Sequence, residues 1–249
     1  MDIILYNIIA CFASILIGYF FGSIPFGVIL CKAFRGEDPR EKGSQNSGGT
    51  NVGRLYGMKL GAATIILDAL KTIIPMILVW VLLEYAGIRD AFKSNLGKEM
   101  YHNGSLVIML APLGATLGHC WPIYCDFRGG KAVSSFAGFL LFTSWLSFIL
   151  SFLTFGITLK KTKYVSLSSM LASIMAAAMA WILFLLSINS KVIDPNFALI
   201  GFGVVELWVV ADLDFAIITT IMTITLIFRH RKNIKRLTDG CESKIKWMK

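Results

Sequence analysis

Five long apolar runs dominate this 249-residue chain and decide what it can fold into. Ile3 to Leu30, Leu60 to Leu83, Ser105 to Cys125, Ala132 to Leu159 and Val165 to Ile188 each reach the ~20 residues that a helix needs to cross a bilayer. In water, almost no core of this size has room for five such segments. In lipid, a backbone must satisfy its own hydrogen bonds, and a helix does so within one segment. Composition agrees: 56% of residues are hydrophobic and only 16% charged, against roughly 25% charged in an ordinary soluble domain. The expectation is an all-α, polytopic integral membrane protein formed by a single domain, 1–249.

The net charge of +9 is localised. Lys32, Arg35, Arg40, Lys42, Arg54 and Lys59 cluster between the first two runs, and eight further cations lie between residue 229 and the carboxyl end. Lys and Arg beside apolar segments mark the cytoplasmic side. With the amino terminus outside, both basic regions and the turn containing Asp126, Arg128 and Lys131 fall on that side. The polar stretch 84–103 then lies outside, as does the cluster Lys160, Lys161 and Lys163, against the usual bias. Residues 196–228 are too long for one ordinary span and are interrupted by Asp212 and Asp214, so two short helices are expected there, bringing the total to about seven. No internal repeat of the kind that marks many transporters is apparent. The five cysteines show no paired metal-ligand spacing, and Cys11, though set in a lipoprotein-like Ile8-Ile9-Ala10-Cys11, follows no basic leader region.

Three polar elements stand out on the expected cytoplasmic side. The first reads Gly43-Ser44-Gln45-Asn46-Ser47-Gly48-Gly49-Thr50-Asn51-Val52-Gly53-Arg54. Glycines let successive backbone N–H groups turn toward one anion, while Arg54 offers a bidentate grip on phosphate. The second, Arg128-Gly129-Gly130-Lys131, leads into an apolar run, where a helix N-terminus adds its dipole to the cations. It is not a Walker loop, because Cys125 stands where the first glycine belongs and Ala132 follows the lysine. The third places His230, Asn233 and Arg236 three residues apart, roughly on one helical face. Asp68 and Lys71, also three apart, suit a structural ion pair or substrate contact within a span. Glycine, hydroxyl, amide and guanidinium groups together are phosphate-handling groups, set beside a bilayer able to hold an acyl chain.

These motifs resemble one family, the bacterial acyl-phosphate–glycerol-3-phosphate acyltransferases, or PlsY family. The resemblance covers nearly the whole chain and rests on Gly22-Ser23-Ile24-Pro25-Phe26-Gly27, Gly43-Ser44 through Thr50-Asn51 with Arg54, Leu67-Asp68 with Lys71, Arg128-Gly129-Gly130-Lys131, and His230 with Asn233 and Arg236. The chain departs from the family pattern at Gln45, Ala132 and Thr72, where the family usually has Gly, at Gly49, usually Ala, and at Lys232, usually Glu. The resemblance implies transfer of a fatty acyl group from acyl phosphate to the 1-hydroxyl of glycerol 3-phosphate at the cytoplasmic face of a bacterial inner membrane. It implies Ser44, Arg54, Lys131, His230 and Asn233 as catalytic residues. It implies Gly43, Asn46, Thr50, Asn51, Arg128, Gly129, Gly130 and Arg236 as substrate-binding, with Asp68 and Lys71 in support. The implied partners are the two substrates and membrane lipid, with no nucleic acid, cofactor or metal. No histidine is followed at the fifth position by an aspartate, since Val107, Tyr124 and Lys235 stand there, which argues against the acyl-CoA-dependent type. The competing reading is a small membrane transporter of anionic phosphorylated solutes.

Overall fold

The computed structural model describes residues 3–85, 105–188 and 213–245. Among the described residues every regular element is helical and no strand occurs. The helices are α1 (Ile3–Gly22), α2 (Phe26–Arg35), α3 (Gly49–Tyr56), α4 (Met58–Tyr85), α5 (Ser105–Cys120), α6 (Val133–Thr143), α7 (Trp145–Thr162), α8 (Val165–Ile188), α9 (Leu213–Arg229) and α10 (Arg231–Thr238). A short 3-10 turn, Ile123–Cys125, follows α5. Pro25, which lacks an N–H, separates α1 from α2, and α2 ends where Gly36 turns left-handed.

Among the described residues four stretches, Asn7–Arg35, Met58–Leu83, Leu106–Cys125 and Val165–Leu186, are long and apolar enough to cross a membrane. The α9–α10 pair, bent by 56°, adds a fifth if it forms one span. The expected run 132–159 is not one helix. Ser144 leaves the helical conformation and caps α7, accepting the Ser147 N–H, which divides the run into α6 and α7. Of the two short helices expected over 196–228, α9 is the second. The first, with Glu206 and Asp212, lies outside the described residues, as does most of 84–103.

The chain divides into two compact units, Met1–Phe139 and Leu140–Lys249, where the sequence pattern suggests one domain. The boundary falls inside α6 rather than in a linker. In the first unit α1 packs on α5 through four glycines. A methyl on Gly18 or Gly22 would overlap the carbonyl of Ala111 or Ala115, and one on Gly114 or Gly118 the carbonyl of Ile15 or Tyr19. Small residues four apart are how membrane helices approach closely when no hydrophobic force drives them together. The Ser14 hydroxyl donates to Val107 O, and Tyr19 donates to Trp121 O at 2.8 Å, pinning both ends of the contact. In the second unit, α8 is tied to α7 by Ser151 donating to Ala172 O (2.9 Å), and to α9 by Thr223 donating to Ser173 O (3.0 Å). Large apolar side chains such as Phe12, Ile66, Phe152 and Ile224 remain on the outer surfaces, as a bilayer solvent permits.

Candidate active site

In the first unit the glycine-rich loop is built around one side chain. Asn51, in the first turn of α3, is buried and donates to the carbonyls of Pro39 (2.8 Å), Asn46 (2.9 Å) and Lys42 (3.2 Å). Its Oδ1 accepts the Ser44 N–H at 2.9 Å. Asn46 in turn accepts the Gly48 N–H at 2.8 Å, an Asx turn that leads the chain into α3. The sequence reading places Asn51 and Asn46 among substrate-binding groups; the structure shows both side-chain polar atoms of Asn51 and the Oδ1 of Asn46 engaged in shaping the loop. That shaping leaves Thr50 and Arg54 exposed and Ser44 half-buried. Gly49 seats α3 on α4, with no room for a methyl between it and Ile65.

Arg40 joins this loop to the second element. Its guanidinium grips Asp38 with Nη2 at 2.7 Å and Nε at 3.0 Å, and its Nη1 donates to Cys125 O (3.1 Å) and more weakly to Arg128 O (3.4 Å). The hydrogen bonds from Arg40 hold the Asp38 carboxyl below its ordinary range, against the opposing pull of partial burial. Tyr56, at the end of α3, donates to Glu37 at 2.9 Å. Burial and that carboxylate push the Tyr56 phenol up to about 12. Sequence reasoning missed Asp38, Arg40, Glu37 and Tyr56. The available signal was a run of acids, Glu37, Asp38 and Glu41, set beside Arg40 and Lys42 in an otherwise basic region.

The Arg128–Lys131 turn enters α6 directly, as the dipole argument requires. It is pressed onto the end of α5: the Gly130 N–H donates to His119 O at 2.9 Å, and a methyl on Gly129 would overlap that same carbonyl. Beneath it lies a buried charged set. Lys71 Nζ is 3.0 Å from Asp68 Oδ1 and donates to Ile24 O at 2.9 Å, in the break between α1 and α2. The Asp68–Lys71 pair predicted from spacing therefore exists, and it supports the backbone around Pro25. Arg128 is exposed and Lys131 half-buried.

In the second unit, His230 ends α9, and its Nδ1–H donates to Leu226 O at 2.8 Å. The 56° bend there begins α10, and His230 caps that helix, its carbonyl accepting the N–H groups of Asn233 and Ile234 at 2.8 Å. Asn233 and Arg236 do come together, but on a residue the sequence reading overlooked. Glu242 accepts from Asn233 Nδ2 (2.6 Å), Ser166 Oγ (2.8 Å) and Arg236 Nε (2.7 Å). Burial acts to raise this carboxyl, but the hydrogen bonds from Arg236, Asn233 and Ser166 outweigh it and hold Glu242 below its ordinary range. The tail reaches this position by turning at Gly240, with φ of 68°. It is fastened by Ile245 N–H to Lys163 O at 3.0 Å and by Lys244 over the Tyr164 ring. A glycine just past the end of α10, followed by an acid in a basic tail, was the available signal.

Among the described residues no group of three or more His, Cys, Asp or Glu side chains is placed to hold a metal. The arrangement offers hydrogen-bond donors and fixed cations at glycine-rich backbone, suited to binding and neutralising phosphate.

Residues 12–240 match the family model described as glycerol-3-phosphate acyltransferase. A Bacillus subtilis (strain 168) protein named glycerol-3-phosphate acyltransferase is 35% identical over 234 residues, spanning 94% of this chain and 97% of the relative. One of the same name from Rhodopseudomonas palustris (strain HaA2) is 36% identical over 233 residues, 94% of each chain. Among solved structures, the chain is similar to PlsY (YgiH), an integral membrane glycerol 3-phosphate acyltransferase, in its glycerol 3-phosphate form. The TM-score is 0.70 at 28% identity, covering 95% of this chain and 96% of that one. The lysophosphatidic acid form of PlsY gives 0.68 at 26% identity, covering 95% of each chain.

Proposed function

Because the chain belongs to the glycerol-3-phosphate acyltransferase family, we propose that its acyl donor is a fatty acyl phosphate and that the acyl group passes to the sn-1 hydroxyl of glycerol 3-phosphate. The acyl carbon–oxygen bond to phosphate breaks, the new ester bond forms, and lysophosphatidic acid and inorganic phosphate leave. The observation that carries this reading is Arg40, which makes neighbours of the Ser44–Arg54 loop and the Arg128–Lys131 turn. Two glycine-rich, cation-bearing segments side by side suit a reaction between two phosphorylated molecules.

Electrostatics sets the requirement. Each substrate carries about two negative charges at neutral pH. At ~6 Å and an effective dielectric near 20, the four unit repulsions cost roughly 11 kcal/mol in total. In this proposal Ser44, Thr50 and Arg54 hold one phosphate, and Asn51 and Asn46 keep the loop in shape to do so. Lys131 and Arg128 neutralise charge on the departing phosphate and on the oxyanion that develops at the acyl carbon. The family resemblance assigns His230, Asn233 and Arg236 to the acceptor. Acyl phosphate is already activated, so positioning and charge neutralisation suffice without an acyl-enzyme. In this proposal the hydroxyl proton passes to the donor's own phosphate, with His230 as the alternative base, because the Nδ1–H bond to Leu226 O leaves Nε2 as the nitrogen able to accept a proton. Activity loss below about tenfold in His230→Ala would agree with that route, whereas a loss beyond about a hundredfold would make His230 the base. The active site faces the cytoplasm of a bacterial inner membrane, with the acyl chain in the bilayer.

The test uses purified protein in detergent with glycerol 3-phosphate and palmitoyl phosphate, palmitoyl-CoA or palmitoyl carrier protein in parallel. Lysophosphatidic acid from the acyl phosphate alone establishes the donor. Product only from a thioester overturns it. No product from any donor, in folded protein, would return the phosphorylated-solute transporter to consideration.

A further inference from the structure

We propose that His119, which the reaction scheme above does not use, is a positioning residue that sets Lys131 by wedging between the Asp68–Lys71 pair and the Gly129–Gly130 backbone. The inference deepens the proposed reaction and rests on it for the role of Lys131. His119 lies in the last turn of α5, and its side chain is 5% exposed. One edge of the imidazole faces charge: Nδ1 lies 3.6 Å from Asp68 Oδ1, beyond hydrogen-bond length but within ion-pair reach. Asp68 is fixed in turn by Lys71, whose ammonium is anchored on Ile24 O. The opposite edge abuts Gly130, where a methyl would overlap Nε2. The ring therefore spans the gap between a fixed ion pair and a fixed turn.

The turn is held on its far side as well. Ser135, in the first turn of α6, donates to Asp68 O at 3.2 Å, and Thr72 donates to Ser135 O at 3.0 Å. One carboxylate-bearing residue thus braces the turn twice, through its side chain toward His119 and through its backbone toward Ser135. Lys131 sits between these braces, one residue past Gly130 and four before Ser135. A lysine meant to meet charge that develops only during reaction gains from such fixing, because misplacement by about 1 Å costs roughly a hundredfold in rate. This also accounts for the glycine pair: Gly129 clears the His119 carbonyl and Gly130 clears its ring.

The proposal separates two edges of one ring, and two substitutions test them. His119→Asn keeps an amide near the Nδ1 position and removes the edge against Gly130, while Gly130→Ala drives a methyl into that edge. Gly130→Ala alone should lower kcat by about a hundredfold. In the double variant the shortened side chain makes room for the methyl, and kcat should recover by about tenfold over Gly130→Ala. His119→Phe keeps the bulk but faces Asp68 with carbon, and it should be less active than His119→Asn. A double variant no more active than Gly130→Ala overturns the proposal, as does His119→Phe matching the wild type. If Gly130→Ala does not accumulate in membranes, the same comparison is read as folded yield, which the double variant must restore. If the wild type makes no lysophosphatidic acid, the reaction falls but the wedge is still read by hydrogen exchange. The amides of 128–132 should exchange about tenfold faster in His119→Asn, and unchanged exchange would sink the proposal.

Discussion

At Gln45 and Ala132 the backbone takes φ of 55° and 63°, the left-handed region where a β-carbon crowds the following carbonyl. Both are positions where the family pattern usually has glycine, so these two departures share one physical meaning. They store strain at the rim of the glycine-rich loop and at the residue that joins Lys131 to α6. The two differ in what the side chain gives back. Gln45 is exposed, so Gln45→Gly loses nothing by burial and should stabilise the folded protein by about 1 kcal/mol. Ala132 is fully buried, and losing its methyl costs about 0.8 kcal/mol, so Ala132→Gly should leave stability nearly unchanged. Unfolding midpoints in detergent, compared for the two variants, check this; a larger gain at Ala132 than at Gln45 would contradict it. Residue types were legible from the sequence in a way that residue duties were not. The spacing of Asp68 and Lys71 specifies a helical pair, and the pair is there. Nothing local reveals that Asn51 spends its amide on the carbonyls of Pro39, Lys42 and Asn46, because that depends on how the loop folds back over α3.

Among the elements, apolar length located α4, α5 and α8 closely, since a lipid-facing helix announces itself by length and composition, whereas the first run, 3–30, is broken at Pro25 into α1 and α2. It did not reveal the break at Ser144, where one capping hydroxyl decides between one long helix and two. Nor did it reveal that α1 and α5 meet along Gly18, Gly22, Gly114 and Gly118, because a glycine in a membrane helix does not name the helix it packs against. That contact predicts a contrast. Gly22→Ala puts a methyl into the Ala115 carbonyl and should sharply reduce folded yield, whereas Gly156→Ala on α7, with open space around it, should be neutral or slightly stabilising. Equal yields for the two would remove the close-packing account. A second contrast concerns the tail that α10 carries. The Glu242 carboxyl is held below its unfolded value, so its stabilising effect is present above the ordinary carboxylate range and is lost as pH falls through the lower folded value. Proteolytic cleavage after Gly240 should therefore accelerate as the medium is acidified through and below the ordinary carboxylate range. In Glu242→Gln it should be fast already at neutral pH and show little further acid dependence.

For the molecule as a whole, the remaining question is which way it sits in its membrane, and here charge and one native thiol combine. The cations near the carboxyl end flank the last apolar helix. Lys232 and Lys235 are exposed on α10, and Arg231 stacks on the Phe228 ring with 4.7 Å between guanidinium and ring centre. An aromatic ring under an arginine, followed by exposed lysines, suits a helix end at the headgroup level of an anionic leaflet, where each cation contributes about 1 kcal/mol. In the proposed orientation that leaflet is the cytoplasmic one, which is what the positive-inside bias expects. The chain carries its own reporter. Cys241 is exposed in the turn after α10, while Cys31, Cys120 and Cys125 are buried and Cys11 lies half-buried within α1. A membrane-impermeant maleimide should label Cys241 in inverted inner-membrane vesicles and leave it unlabelled in right-side-out ones, with Cys241→Ser abolishing the signal. Labelling only in right-side-out vesicles would put Asn233, Arg236 and Glu242 on the outer face. A cytoplasmic supply of glycerol 3-phosphate and acyl phosphate could not reach them there, so one thiol tests whether the tail lies on the side where the proposed substrates are supplied.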